Sequence, residues 1–244
     1  MNKLYFCSIK TVAFLTLIAV VILFFAWAGY NTVAPSGWLI ETSTFESQNF
    51  PVIILDAGHG GEDGGAEANG VLEKNINLSI TKYVSAYLDI AGVKNVLTRE
   101  DDRLLYNPGE ENHKKRSDLT NRIRFAENYA DGVFVSIHQN KFEIPKYKGL
   151  QVYYSVNNKQ SEVLAKTIQN NARLNIDMSN KREVKPADFR IRILDSLKMP
   201  AVLVECGFLS NPDEAALLNS EEYQKKIAFI IYKSIVEYLC HNGE

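Results

Sequence analysis

Four residues stand where their types could do chemistry together. Asp56 and His59 follow the apolar run Val52-Ile53-Ile54-Leu55, His138 follows Val133-Phe134-Val135-Ser136-Ile137, Glu205 follows Ala201-Val202-Leu203-Val204, and Glu73 opens a helical pattern behind the glycine-rich loop 58–65. In an open parallel α/β sheet the carboxyl ends of all strands share one edge, and ligands bind there. Asp56 with His59, His138 and Glu205 are therefore expected at one site. A catalytic zinc takes three protein donors drawn from His, Asp, Glu and Cys and keeps one position for water. His59 and His138 supply two, and Glu73 is the best third, because the loop can fold back and set it beside His59. Hydrogen-bonding groups on the loop, Asp63 among them, would orient the ligands. Glu205 is left without a metal to bind, at the end of an apolar run that raises a carboxyl pKa. That suits a general base which takes a proton from water and returns it to a leaving amine. The metal would polarise a carbonyl and lower the pKa of its water toward ~7. Together these residues spell metal-assisted amide hydrolysis.

The elements that must carry them follow from apolar periodicity. Strands are expected at 52–56, 93–98, 133–137, 149–155, 190–194 and 201–205, alternating with helical patterns. Ile76, Ile80, Tyr83, Val84, Tyr87 and Leu88 fall on one helical face, as do Tyr223, Ile227, Ile230, Ile231, Ile235 and Leu239. Asn211-Pro212-Asp213-Glu214 is a helix start, with Asn211 as N-cap and Glu214 placed for a capping box. The fold class is α/β, a three-layer α/β/α arrangement around a mostly parallel sheet of about six strands, in a single catalytic domain. His113, in a charged stretch, and His241, near the C-terminus, are read as surface residues.

Residues 1–40 contain Lys3 and Lys10 and no acidic residue, so the rest of the chain has 27 − 2 = 25 basic against 29 acidic side chains, a balance of −4. Such a surface offers nothing to nucleic acid. Residues 12–28 are almost wholly apolar. They read either as an uncleaved membrane anchor or as a signal segment cut near Ala28, after Ala26-Trp27-Ala28. The preceding lysines put the domain outside the membrane in both cases. The divisions are 1–30 for the anchor or signal, 31–50 for a polar linker and 51–244 for the catalytic domain. Cys7, Cys206 and Cys240 have neither metal nor disulfide spacing, and the latter two are expected as small buried side chains.

At these same residues the sequence resembles the zinc-dependent N-acetylmuramoyl-L-alanine amidases of the amidase-3 type. Leu55-Asp56-Ala57-Gly58-His59-Gly60-Gly61-Glu62-Asp63-Gly64-Gly65-Ala66 and Leu72-Glu73-Lys74-Asn75 are similar to the first two motifs of that family. Thr98-Arg99 with Asp102, Ser136-Ile137-His138-Gln139-Asn140, and Val204-Glu205-Cys206-Gly207-Phe208-Leu209-Ser210-Asn211 are similar to the others. The resemblance implies Zn2+ held by His59, Glu73 and His138, with Glu205 as the catalytic carboxylate. The bond cleaved would be the amide between N-acetylmuramic acid and L-alanine in peptidoglycan. It adds Asn140, either as a substrate or ligand contact or as a turn residue. Arg99 is expected to pair with Asp102 and stabilise a turn.

The connections 139–149 and 175–189 are too short for the long helix that blocks the zinc in relatives used for daughter-cell separation. A single domain behind one apolar segment looks most like the sporulation amidases, whose product a partner deacetylase converts to the muramic δ-lactam of spore cortex. The competing readings are another zinc hydrolase of the wall, a stem peptidase or a glycan deacetylase, and a non-catalytic peptidoglycan-binding module that recruits other enzymes. Tyr147, Lys148, Tyr153 and Tyr154 either line a glycan-facing groove or pack in the core.

Overall fold

The computed structural model describes residues 18–24 and 50–241. Two compact units divide the chain, Met1–Gln48 and Asn49–Glu244. In the first, residues 18–24 are helical and exposed, and among the described residues no helix is long and apolar enough to cross a membrane. Most of the apolar segment 12–28, and the linker 31–50 apart from Phe50, lie outside the described residues, as does Cys7.

In the second unit six strands form one sheet. They are β1 (Ile53–Ala57), β4 (Asn95–Leu97), β5 (Val133–Asn140), β6 (Gln151–Tyr154), β7 (Lys185–Pro186) and β8 (Ala201–Phe208), in the order β4-β1-β5-β8-β6-β7. All neighbours are parallel except β6, which runs antiparallel to β8. The central strands β1, β5 and β8 are covered on both faces, which is why they read as unbroken apolar runs rather than alternating ones. A two-stranded hairpin, β2 (Glu67–Ala68) with β3 (Val71–Leu72), stands apart from the sheet.

The helices are α1 (Glu73–Ile90), α2 (Lys114–Glu127), α3 (Lys159–Asn175), α4 (Arg192–Ser196), α5 (Pro212–Leu218) and α6 (Glu221–His241), with a 3₁₀ turn at Glu111–His113. On one sheet face Ile53, Leu55, Val135, Ile137, Val202 and Val204 pack against the apolar stripes of α1, α3 and α6. On the other, Ile54, Phe134, Ala201 and Leu203 meet Ile123 and Ala126 of α2 and Ile193 and Leu194 of α4. The three expected layers are present, and the two helical stripes read from Ile76 to Leu88 and from Tyr223 to Leu239 face the core.

Three expectations fail locally. Residues 190–194 are not a strand: Ile191 accepts from the N–H groups of Leu194 and Asp195, and α4 begins at Arg192. Ile191, Leu194 and Leu197, like Ile193 and Leu197, lie three or four apart, and over five residues that spacing cannot be told from strand alternation. The sixth strand is instead Lys185–Pro186, a two-residue edge beside β6. Asn211 does cap α5 by accepting from the Glu214 N–H at 3.0 Å, but Glu214 does not complete a capping box. Its carboxylate turns inward and accepts from the N–H groups of Phe208 (2.7 Å) and Gly149 (2.9 Å), tying the end of β8 to the entry of β6. Cys206 is buried and free as expected, whereas Cys240 is exposed.

Asp56 also departs from expectation, since it does not join the histidines. It is 2 % exposed and accepts from Thr98 Oγ1 (2.7 Å), Ser136 Oγ (2.6 Å) and Arg122 Nη1 (2.7 Å). Burial raises a carboxyl pKa, but the Arg122 guanidinium and the two hydroxyls outweigh it and hold Asp56 at about 2. Its folded pKa is thus below the ordinary 3.8, so its contribution is complete above that pH and lost as pH falls through about 2. Urea unfolding followed from pH 5 to pH 2 should show wild-type stability falling by ~2 kcal/mol more than that of Asp56→Asn. Parallel curves for the two proteins would remove the carboxylate from this role.

Candidate active site

The loop after β1 is bound to the interior by two buried guanidiniums. Arg99, 1 % exposed, donates to the carbonyls of Ala57 (2.8 Å), Gly58 (3.1 Å), Lys74 (2.9 Å) and Asp101 (3.0 Å). Arg122, 3 % exposed, donates to the carbonyls of Ala57 (2.8 Å) and His59 (2.7 Å) as well as to Asp56 and Asp118. His59 has a left-handed backbone, φ 63°, a conformation that costs a non-glycine residue on the order of 1–3 kcal/mol unless its surroundings impose it. The arginine contacts impose it here. Asp102 does not pair with Arg99; it accepts from the Gly61 N–H (2.7 Å) and Lys74 Nζ (2.6 Å), pinning the outer side of the loop.

The loop continues into the β2–β3 hairpin, whose Asn69-Gly70 turn has positive φ at both positions. Glu73 follows at the first turn of α1, where the helix N-terminus favours a carboxylate. Its Oε2 accepts from the Ala66 N–H at 2.7 Å, and its Oε1 from the Gln139 N–H at 3.0 Å and Asn77 Nδ2 at 3.2 Å. His138 Nδ1 lies 2.9 Å from Oε1, and His59 Nε2 lies 3.4 Å from Oε2. The structure therefore brings His59, Glu73 and His138 together, with one ligand atom from each inside 4.8 Å. Asp63 stands behind them, its Oδ2 2.9 Å from His59 Nδ1 and its Oδ1 2.8 Å from Lys115 Nζ.

The electrostatics of this cluster are those of donors crowding one point. Burial alone would raise the Glu73 carboxyl, yet the two imidazoles facing it hold it far below the ordinary carboxylate range. Burial likewise disfavours a charged His59, but Glu73 and Asp63 overcome it and raise the imidazole to about 9. Two imidazole nitrogens and one carboxylate suit a divalent transition metal with an open fourth position. The cradle is tight as well as chemically apt: a Cβ on Gly58 would fall 2.2 Å from His138 Nε2, and one on Gly65 would fall 2.6 Å from Glu73 Oε2.

Glu205 is the direct cross-strand partner of His138 in the β5–β8 ladder, and the register shifts just beyond them, before Asn140. Such an irregularity re-aims side chains at the sheet edge. Glu205 Oε2 is sealed from solvent and has no hydrogen-bond partner among the described residues. Burial raises its carboxyl to about 7, with Glu73 adding to the rise and His138 opposing it. Asn140 lines a neighbouring groove of about 210 Å³ with Tyr147, Gln151, Tyr153, Arg182 and Phe208. Tyr154 packs in the core, and Lys148 borders a different cavity. His113 and His241 are exposed and are not members of the donor cluster.

Two contributors are missing from the residues that the sequence singled out. Arg122 reaches Asp56 and His59 across more than sixty residues, so nothing in its own neighbourhood marks it. The hairpin that delivers Glu73 had a signal, the Asn69-Gly70 pair between Glu67-Ala68 and Val71-Leu72. Gly58 offers the sharpest test of the cradle, because its backbone angles are ordinary and only space is at stake. Gly58→Ala should weaken metal binding roughly 10- to 100-fold in competition with a chromophoric chelator, and wild-type affinity would disprove the close approach.

Comparison with known proteins gives the family of the chain. A profile of the N-acetylmuramoyl-L-alanine amidases matches residues 53–237. The chain is 32 % identical over 239 residues to the germination-specific N-acetylmuramoyl-L-alanine amidase of Bacillus subtilis, covering 97 % of this chain and 98 % of that protein. Its fold is similar to the CwlD amidase of Clostridioides difficile, solved in complex with the GerS lipoprotein, at TM-score 0.75 and 43 % identity over 78 % of this chain and 99 % of that one. It is similar also to the amidase AmiC2 of Nostoc punctiforme, at TM-score 0.67 and 35 % identity over 78 % and 97 %. With its α/β fold, its His-Glu-His cluster and these relatives, the chain belongs to the N-acetylmuramoyl-L-alanine amidase family of peptidoglycan hydrolases.

Proposed function

We propose that this amidase is a zinc enzyme of the bacterial envelope that acts in spore cortex maturation, with His59, Glu73 and His138 as ligands and Glu205 as general base. The observation that carries the ligand set is the convergence of those three donors within 4.8 Å. The adjacent carboxylate without a partner carries the assignment of the base. The cortex role is supported by the likeness to the germination-specific amidase, which runs over 97 % of the chain. A deacetylase that consumes the product is part of that reading, and so is an accessory lipoprotein of the kind with which CwlD is complexed. Residues 12–28, behind Lys3 and Lys10, serve as membrane anchor or export signal, and 31–50 as the tether to a catalytic domain at 51–244.

Zinc, when bound, supplies Lewis-acid polarisation of the scissile lactyl carbonyl and acidifies water. Asp63 holds His59 through Nδ1 and leaves Nε2 facing Glu73, so the orientation of that imidazole is set before substrate arrives. Glu205 accepts a proton from the attacking water and delivers it to the nitrogen of L-alanine as the amide breaks. A carboxyl whose pKa burial has raised to about 7 can do both near neutral pH. Asn140, which lines the groove, is the substrate hydrogen-bonding residue in this reading.

Purified muropeptides digested by the full chain in detergent, with and without a chelator, should yield glycan free of its whole stem peptide only when zinc is present. Products cut within the stem, read by mass spectrometry, would move the chemistry to another bond. Glu205→Gln should retain one zinc while turnover falls roughly 10²- to 10⁴-fold, and an active variant would exclude Glu205 as the base. His138→Ala should lose metal and activity together, whereas full metal stoichiometry would strike His138 from the ligand set.

A further inference from the structure

Beside Glu205 lies a groove whose two cations, Arg182 and Lys185, form no ion pair among the described residues. Gln151 on its wall is the cross-strand partner of Glu205, and Asn140 lies two residues beyond His138 on β5, so the groove opens from the reactive groups themselves. Arg182 is fixed within it. Its guanidinium lies 4.4 Å from the ring centre of Phe208 and 5.9 Å from that of Tyr147. Nε donates to the Lys148 carbonyl at 2.8 Å and Nη1 to Gln151 Oε1 at 3.2 Å, while Gln151 is itself held through Nε2 to the Glu183 carbonyl at 2.8 Å. These contacts set the plane of the guanidinium, and among the described residues Nη2 has no hydrogen-bond partner. Lys185, the cross-strand partner of Tyr153, brings a second cation to the same groove. Among the described residues no carboxylate lies within ion-pair distance of either Arg182 or Lys185.

We infer that this groove is the subsite for the stem peptide, and that Arg182, aided by Lys185, binds the free carboxylate of the residue that follows L-alanine. The inference rests on the amidase reading. Once the lactyl carboxyl of muramic acid is tied up in the scissile amide, the glycan strand is neutral, and the negative charge of the substrate belongs to the peptide. The nearest such charge is the α-carboxylate of the second residue, a glutamate joined onward through its side-chain carboxyl. A planar guanidinium already oriented by stacking is matched to a carboxylate, with little ordering left to do on binding. Lys185 adds attraction without that geometry.

Two muropeptides that differ only in whether the second residue bears this α-carboxylate or its primary amide provide the test. Full-length wild type should favour the carboxylate form in kcat/KM by on the order of 10- to 100-fold. Arg182→Gln should bring that ratio close to one, with the loss in KM rather than kcat, and Lys185→Gln, at an exposed position, should reduce it in part. Equal use of both substrates by wild type, or a preference that survives in Arg182→Gln and Lys185→Gln, would overturn the assignment. Binding of the released peptide, acid and amide, followed by calorimetry on the Glu205→Gln protein, separates the two readings. Preferential binding of the acid without wild-type cleavage at L-alanine sinks the amidase bond assignment and leaves the subsite standing; cleavage without such preference does the reverse.

Discussion

The site depends on a loop that must place its carbonyls inside the protein. Between Ala57 and His59 three successive peptide oxygens turn toward the interior, where an unpaired carbonyl is costly, and Arg99 and Arg122 satisfy them. Two guanidiniums so deep need charge of their own, and Asp56 and Asp118 provide it for Arg122. The hydroxyls of Thr98 and Ser136 complete the shell of Asp56. Removing any member leaves a buried charge or carbonyl unanswered. The left-handed backbone of His59 is therefore held by the same interactions that join β1, β5 and α2.

Above this layer two glutamates occupy opposite environments, one between the two histidines and one across the ladder from His138. Glu73 receives two backbone N–H groups and Asn77 besides the imidazoles, so it stays ionised and oriented. Glu205 Oε2 receives no hydrogen bond from the described residues, and its carboxyl is raised to about 7. On the proposed roles, environments that push two carboxyls apart in this way sort a fixed ligand from a group that exchanges protons. Neither residue type nor distance along the chain makes that distinction; the number of donors around each carboxylate does.

The groove extends the same logic outward. Arg182 is held by ring faces and neutral acceptors rather than by a carboxylate, so its charge is available to a substrate. A positive wall beside a neutral glycan would be idle; beside an acidic peptide it supplies direction. The sheet supplies the adjacency, because β6 pairs Gln151 with Glu205 and carries β7, with Lys185, on its other side.

The sequence by itself determined the layered fold and the members of the cluster. Strands buried on both faces must be apolar throughout, and parallel strands must end at a common edge, so His59, His138 and Glu205 were bound to meet. Glu73 followed because its helix starts where the loop ends. What only the tertiary structure decided are facts of side-chain direction and of long-range pairing. Asp56 is a strand-end residue like the others, yet it turns beneath the site, because a guanidinium sixty-six positions away waits there. Residues 190–194 are too few for apolar spacing to distinguish helix from strand, and contact with α2 and the underside of β8 settles them as α4. Arg99 answers carbonyls rather than Asp102, since desolvated backbone acceptors in the interior hold a guanidinium more firmly than an exposed carboxylate does. Periodicity reports which surface a residue buries, but the partner of a buried charge is fixed only when the chain closes around it.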